Sequence, residues 1–175
     1  MTAGSGATRD EVAYHEAGHA VLSHRLRSRA VIKISIADDG RQTTYADLTP
    51  LQERYLLKAD LECRYGGFVA APARRWVEGR LMVILAGDLA QWKSTGHATP
   101  DGYAPSAGDE TNALSLAQKV SSSSDEARAY AMWLVQRTWN MLCEPTCWSA
   151  VRGVADQLLT RETLSRRQFS RIVRA

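Results

Sequence analysis

Apolar residues recur at helical spacing along most of the chain and alternate with polar residues in one short stretch. The helical spacing predicts a short helix after Ser165 and longer helices over 9–27, 50–64, 76–92, 109–120, 125–142 and 145–159. From 31 to 36, isoleucines alternate with Lys33 and Ser35, which predicts a half-buried strand. The turn signal at 38–40 and a return strand over 43–48 complete a hairpin. The predicted fold class is therefore mainly α with a small β-hairpin.

Local signals mark where the predicted helices begin and how the chain is divided. Residues 1–8 are expected to form a disordered tail, and 9–175 to form one domain. Thr8 with Glu11, Ser123 with Glu126 and Ser165 with Gln168 fit capping boxes at three helix starts. The segment 94–108 is rich in glycine and proline, which predicts a long loop of the kind that forms cleft walls.

The strongest chemical signal is His15-Glu16-Ala17-Gly18-His19, inside the first predicted helix. Residues four apart share one helical face, so the two imidazoles can bind one metal ion from the same side. Zinc accepts neutral imidazole nitrogen, and a catalytic zinc site keeps its fourth position for water. Glu16 is placed to take the proton of that water as it attacks a carbonyl. The motif predicts a zinc metallopeptidase in which Glu16 is the general base.

Gly18, inside the motif, lowers helix propensity by about 1 kcal/mol relative to alanine. A helix that carries this cost is expected to have another backbone packed close beside it.

Spacing does not identify the third zinc ligand. His24 follows His19 by five residues, which turns it roughly 140° away from the metal face, so it is excluded. The remaining oxygen and nitrogen candidates are Asp88, His97, Asp101, Asp109 and Glu110. Asp109 also has an ordinary explanation, because an aspartate in the first turn stabilises a helix start. The residues alone leave these alternatives open.

Composition narrows the functional classes. The net charge of the 175-residue chain is +3, which is too small to indicate a nucleic-acid partner. The longest apolar run, 81–86, is far shorter than the ~20 residues that span a bilayer, and no targeting segment precedes the first helix. Cys63, Cys143 and Cys147 are an odd number without a signal peptide, which predicts free thiols in a reducing compartment. The expected localisation is cytoplasmic, with no transmembrane segment.

The chain resembles the peptidase domain of the FtsH-type ATP-dependent zinc metalloproteases, and the segment that carries this resemblance runs from His15 to Ala20. The strand at 31–36 is of the same kind as in that family, and 85–91 is similar to its Gly-Gly-Arg-x-Ala-Glu-Glu segment. Ser94-Thr95-Gly96 resembles its Ser-Thr-Gly-Ala. The stretch from Gly108-Asp109 through Ala113 to Leu116-Ala117 resembles its Asn-Asp helix, and 158–164 resembles its Leu-Leu-x-x-Glu-Thr-Leu signature.

This resemblance implies an FtsH-peptidase-like helical domain in which His15, His19 and Asp109 hold Zn²⁺. It also implies a homo-oligomer, which by resemblance to the family would be a hexamer. The chain departs from the family in lacking the AAA+ ATPase module and the membrane helices. Gln91 stands where the family has the first glutamate of its pair, and extra residues lie between Gly96 and Asp109. The expected activity is ATP-independent endopeptidase cleavage of unfolded or flexible polypeptides.

Two functional alternatives and one structural alternative remain at this point. The chain is alternatively a non-catalytic or weakly active binding or regulatory module with the same fold. A further alternative is an intact peptidase that works only with a separate ATPase partner or inside a ring. The hairpin either offers its edge to an extended peptide or simply packs against the first helix.

Overall fold

The computed structural model of the protein describes residues 7–37, 42–64, 71–103 and 106–174. Within these residues lie seven α-helices and three short β-strands, in the order α1 (Arg9–Arg25), β1 (Val31–Ser35), β2 (Gln42–Tyr45), α2 (Pro50–Arg64), α3 (Ala71–Ser94), α4 (Ala107–Ala117), α5 (Ser124–Cys143), α6 (Pro145–Arg161), β3 (Thr163–Ser165) and α7 (Arg166–Ile172). The predicted mainly α fold is confirmed. Residues 1–6 of the expected tail and the predicted turn at 38–40 lie outside the described residues, and the single-domain assignment stays a prediction.

The capping boxes predicted at Thr8 and Ser165 are confirmed by their hydrogen bonds. The predicted box at Ser123 is half formed: its hydroxyl accepts from the Glu126 amide, but the Glu126 carboxylate accepts from the Ser122 amide. Thr8 caps α1: the Glu11 amide donates to Thr8 Oγ1 over 3.3 Å, and the Thr8 amide donates to Glu11 Oε2 over 2.7 Å. Ser165 and Gln168 form the same reciprocal pair before α7. These caps satisfy amides that the helices cannot pair internally, so the starts follow from local chemistry.

Helix α3 is longer than the predicted 76–92 and packs directly on α1. At Gly18 the two backbones approach closely: a Cβ built there would overlap the Ala86 carbonyl and lie 2.7 Å from Ala90 Cβ. The expectation that Gly18 permits a neighbouring backbone is therefore confirmed. This close crossing sets which α3 residues face the His-Glu-x-x-His turn of α1.

The hairpin prediction is confirmed for β1 and β2 but was incomplete. The sheet is antiparallel in the order β2-β1-β3, with Ile34 opposite Thr43 on one side and Leu164 on the other. The third strand was not predicted, because 163–165 is too short to show alternation and its partner lies far away in sequence.

The predicted face of the first strand is wrong at Ile32, which is 46% exposed. Ile34 and Ile36 are buried as expected, but Val31 and Ser35 are buried with them. The register with β2 shifts between Val31 and Lys33, as at a β-bulge. A bulge adds one residue to one strand and so reverses which side chains face the core.

The core lies between α1, α3, α5 and α6, with Leu164 and Phe169 closing one end. Its largest fully buried side chains are Leu22, Ile34, Leu81, Leu85, Leu89, Leu134, Leu142, Leu158 and Leu164. Of the cysteines, Cys143 is exposed and Cys147 is buried, and both are free thiols as predicted, whereas the side chain of Cys63 lies outside the described part of the structure. No helix in the described part of the chain is long and apolar enough to cross a bilayer.

Candidate metal centre

The two histidines of α1 converge as their spacing predicts. His15 Nε2 lies 3.0 Å from His19 Nε2, and the two rings meet edge to face with their planes at 89°. Both side chains are largely buried where α1 crosses α3. The helix thus presents two imidazole nitrogens to a single point.

Asp109 reaches the same point from the first turn of α4. Its Oδ2 lies 3.7 Å from His15 Nε2 and 3.7 Å from His19 Nε2. That oxygen is buried and has no hydrogen-bond partner among the described residues. Of the described residues, this trio is the cluster of potential metal ligands, with one atom from each within 4.8 Å of the others.

Hydrogen bonds on the far side of each ring fix the histidine tautomers. His19 Nδ1 lies 2.7 Å from the Val83 carbonyl oxygen, which can only accept, so Nδ1 carries the hydrogen. His15 Nδ1 lies 3.2 Å from Asp88 Oδ1 and donates in the same way. When both rings are neutral, each Nε2 is therefore an acceptor, and the two lone pairs face each other. Such lone pairs repel unless a proton or a cation lies between them.

The three ligand atoms fit a zinc ion. Tetrahedral zinc at about 2.05 Å from each ligand would separate the ligand atoms by about 3.3 Å. The observed separations of 3.0, 3.7 and 3.7 Å bracket this value. The unpartnered Oδ2 of Asp109 and the two bare nitrogens are the donor types that zinc accepts, and three protein ligands leave a fourth position open.

The electrostatic setting of the cluster also suits a cation. Burial, and then repulsion from the charged form of His15, lower the pKa of His19. Burial opposes protonation of His15 too, but its hydrogen bond to Asp88 and the nearby carboxylates outweigh burial and raise its pKa. Burial raises the pKa of Asp109, since its charge is desolvated there. A cation bound at this point would compensate the desolvated charge of Asp109 and take the place of the proton on His15.

Asp88 supports the site instead of completing it. Its Oδ1 accepts from His15, and its Oδ2 accepts from the Ser106 amide over 2.7 Å. These hydrogen bonds outweigh burial, which alone would raise the pKa of Asp88, and hold that pKa below its ordinary value. Ser106 is the residue before α4, so one carboxylate orients the first histidine and fixes the start of the helix that carries Asp109. Sequence reasoning considered Asp88 only as a possible third ligand.

Gly87 of α3 leaves room for both rings. A Cβ at this position would lie 2.6 Å from His19 Cε1 and 2.8 Å from His15 Cε1, far inside ordinary contact distance. Sequence reasoning did not single out this glycine, although its place within 85–91 is a signal that could have done so.

Glu16 lies beside the ligand cluster and is hydrogen-bonded to the sheet. Only 6% of the residue is exposed. Thr43 Oγ1 on β2 lies 2.8 Å from Glu16 Oε2 and donates to it, and also lies 3.2 Å from the Glu16 carbonyl oxygen. The predicted general base is thus held by a hydroxyl from the hairpin, a contact that no sequence signal indicated.

The other candidates for the third ligand lie elsewhere. His97 stacks on Trp92 with ring centroids 3.5 Å apart, while Asp101 and Glu110 are exposed. None of these belongs to the ligand cluster found among the described residues. His24, which was excluded by its angle, packs edge-on against Phe169.

Comparisons with known proteins give a local similarity. No protein-family model matches the chain. A segment of 50 residues is 46% identical to the ATP-dependent zinc metalloprotease FtsH of Oenococcus oeni. The matched segment spans 28% of this chain and 7% of that FtsH, so the chain corresponds to a small part of the relative. The similarity supports an FtsH relationship for that segment alone.

Proposed function

We propose that this chain is a zinc-dependent endopeptidase that cleaves unfolded or flexible polypeptides. The observation that carries the proposal is the convergence of His15 Nε2, His19 Nε2 and Asp109 Oδ2, the last of which has no hydrogen-bond partner among the described residues. These residues would hold the ion. The local similarity to a zinc metalloprotease agrees with the same chemistry.

When bound, zinc supplies Lewis acidity that polarises a carbonyl and lowers the pKa of water towards ~7. Glu16 follows His15 directly in α1, so its carboxylate borders the ligand cluster without joining it. In this role Glu16 accepts a proton from the attacking water and returns it to the leaving amine. Thr43 donates to one carboxylate oxygen and so orients the other for proton transfer.

The contact from Thr43 also places the hairpin beside the catalytic groups. In the order β2-β1-β3, β2 is an edge strand of the described sheet. An extended substrate segment can add to such an edge through main-chain hydrogen bonds, and this mode of capture requires an unfolded or flexible chain. The hairpin edge is therefore our proposed site of substrate alignment.

The test is to load purified protein with zinc, measure the metal content and follow cleavage of an unfolded casein. We expect about one zinc ion per chain, and cleavage that a chelator abolishes and zinc restores. Asp109→Ala should lose most of the zinc, whereas Asp101→Asn, an exposed change in the preceding loop, should keep it. Glu16→Gln should keep zinc and lose cleavage.

Different outcomes would reject different parts of the proposal. Full-affinity zinc in His15→Ala or His19→Ala would remove the ligand assignment. Cleavage by Glu16→Gln at the parent rate would remove the general base. A zinc-loaded parent that leaves casein intact would favour the non-catalytic module, or a peptidase that depends on a separate ATPase.

A further inference from the structure

A second concave surface lies away from the metal centre, where the end of α1 meets α6 and α7. It is a groove of about 1210 Å³, and none of the three proposed ligands lines it. We name it the arginine groove after the five arginines that line it: Arg25, Arg27, Arg29, Arg166 and Arg174. No aspartate or glutamate is among the described residues that line it.

Most of this positive charge is not neutralised within the described structure. Arg25 pairs with Glu144 over 3.5 Å, and Arg29 donates to the Ala46 carbonyl. Arg27, Arg166 and Arg174 are exposed and take part in none of the ion pairs found between described residues. Like charges concentrated in one concavity repel each other and raise the local concentration of anions.

The positive surface continues beyond the groove. An adjoining hollow of about 660 Å³ shares Arg166 and Arg174 and adds Arg167 and Arg171. The positive charge also acts on His24, which lines the groove. Burial lowers the pKa of His24, and the charges of Arg174, Arg25 and Arg27 lower it further.

The floor of the groove is apolar. It is formed by Val21, Val31, Ala150, Phe169 and Ile172. Phe169 is only 2% exposed, so it offers a hydrophobic base but no open aromatic face. The groove thus combines a hydrophobic floor with a cationic rim.

We propose that the arginine groove docks an acidic polypeptide segment in which aspartate or glutamate alternates with apolar residues. Guanidinium groups match carboxylates in shape and charge, and the floor can bury the apolar side chains between them. The volume exceeds the roughly 300–1,000 Å³ of pockets for small molecules. This inference goes beyond the proposed peptidase activity and does not depend on it.

Two other anionic partners fit less well. Single-stranded nucleic acid is bound by basic grooves in which open aromatic rings stack on the bases, and the one aromatic ring of the apolar floor is buried. An anionic bilayer is flat, whereas these arginines line a concavity. Both serve as competing outcomes of the test.

The test uses a fluorescein-labelled peptide of alternating glutamate and leucine, with fluorescence anisotropy as the readout. Arg27→Glu with Arg174→Glu reverses two exposed rim charges. The matched control, Arg128→Glu with Arg137→Glu, changes the net charge equally at exposed α5 positions outside the groove. Circular dichroism checks folding, and Arg27→Gln with Arg174→Gln provides a milder pair if the double reversal unfolds the protein.

We expect the groove variant to bind the peptide at least about tenfold more weakly than the parent, because attractive contacts become repulsive. The control should stay within about twofold of the parent, since rim charges act locally at moderate salt. The ring signals of His24 in an NMR titration should shift when the peptide binds. Equal losses in both variants would overturn the proposal, as would tighter binding of a single-stranded oligonucleotide or of phosphatidylglycerol vesicles.

Discussion

Replacing Gly87 with alanine is the sharpest test of how the ligand cluster is packed. The new Cβ would overlap His19 Nε2, the ligand atom itself, and would lie 2.6 Å from His19 Cε1, whereas ordinary contacts at this kind of site begin at 3.4 Å. The ring must therefore move by more than about 0.8 Å, while zinc sites tolerate only about ±0.2 Å in ligand distance. We expect zinc affinity to fall by more than the roughly 10–100-fold that loss of an outer-shell partner costs.

Competition with a chromogenic chelator measures this affinity, and circular dichroism shows whether the variant is folded. Gly79→Ala is the matched control on the same helix, because its Cβ would meet only Leu26 Cβ, at 3.9 Å. Replacing that glycine should stabilise α3 by roughly 0.5–1 kcal/mol, raise Tm by about 1–4 °C and leave zinc binding unchanged. A folded Gly87→Ala protein that binds zinc like the parent would show that the rings do not meet beneath α3 as described.

Four further outcomes follow from the same site. Asp88→Asn leaves one oxygen for two donors and should weaken zinc binding by about 10–100-fold; an unchanged affinity would contradict its supporting role. Thr43→Val should lower kcat at unchanged zinc affinity, and Thr43→Ser, which restores the hydroxyl, should recover it. His97→Ala should leave zinc affinity intact, and a strong loss would reassign the third ligand. Burial lowers the pKa of His15, but the hydrogen bond to Asp88 and the nearby carboxylates outweigh it and raise that pKa, so on acidification protons should compete with zinc at a higher pH than for an ordinary histidine, as titration calorimetry across pH can measure.

The features that sequence predicted best are those that one helix determines by itself. The positions of His15 and His19 follow from helical periodicity, since four residues make about one turn in any α-helix. Likewise, Thr8 and Ser165 cap their own helices through contacts three residues away. No other part of the chain has to be known for these inferences.

The features that helical and strand periodicity could not predict depend on how distant elements meet. Asp109 was named as the third ligand only through the family resemblance, because its distance from His19 along the sequence follows no helical or strand period. The roles of Asp88, Gly87 and Thr43 depend on the register of α3 and β2 against α1, which tertiary packing sets. The exposed Ile32 depends on a bulge that pairing with β2 reveals and alternation alone conceals.

The third strand also determines when the sheet can form completely during synthesis of the chain. β1 is the central strand of the sheet, and it pairs with residues 163–165, close to the end of the sequence given. The amide of Ile36 also donates to the Glu162 carbonyl oxygen over 2.9 Å. Contacts so distant in sequence cannot form until the later residues have left the ribosome. A nascent chain would thus present His15, His19 and Asp109 before β3 is available, and β1 would gain its second neighbouring strand only after residues 163–165 have left the ribosome.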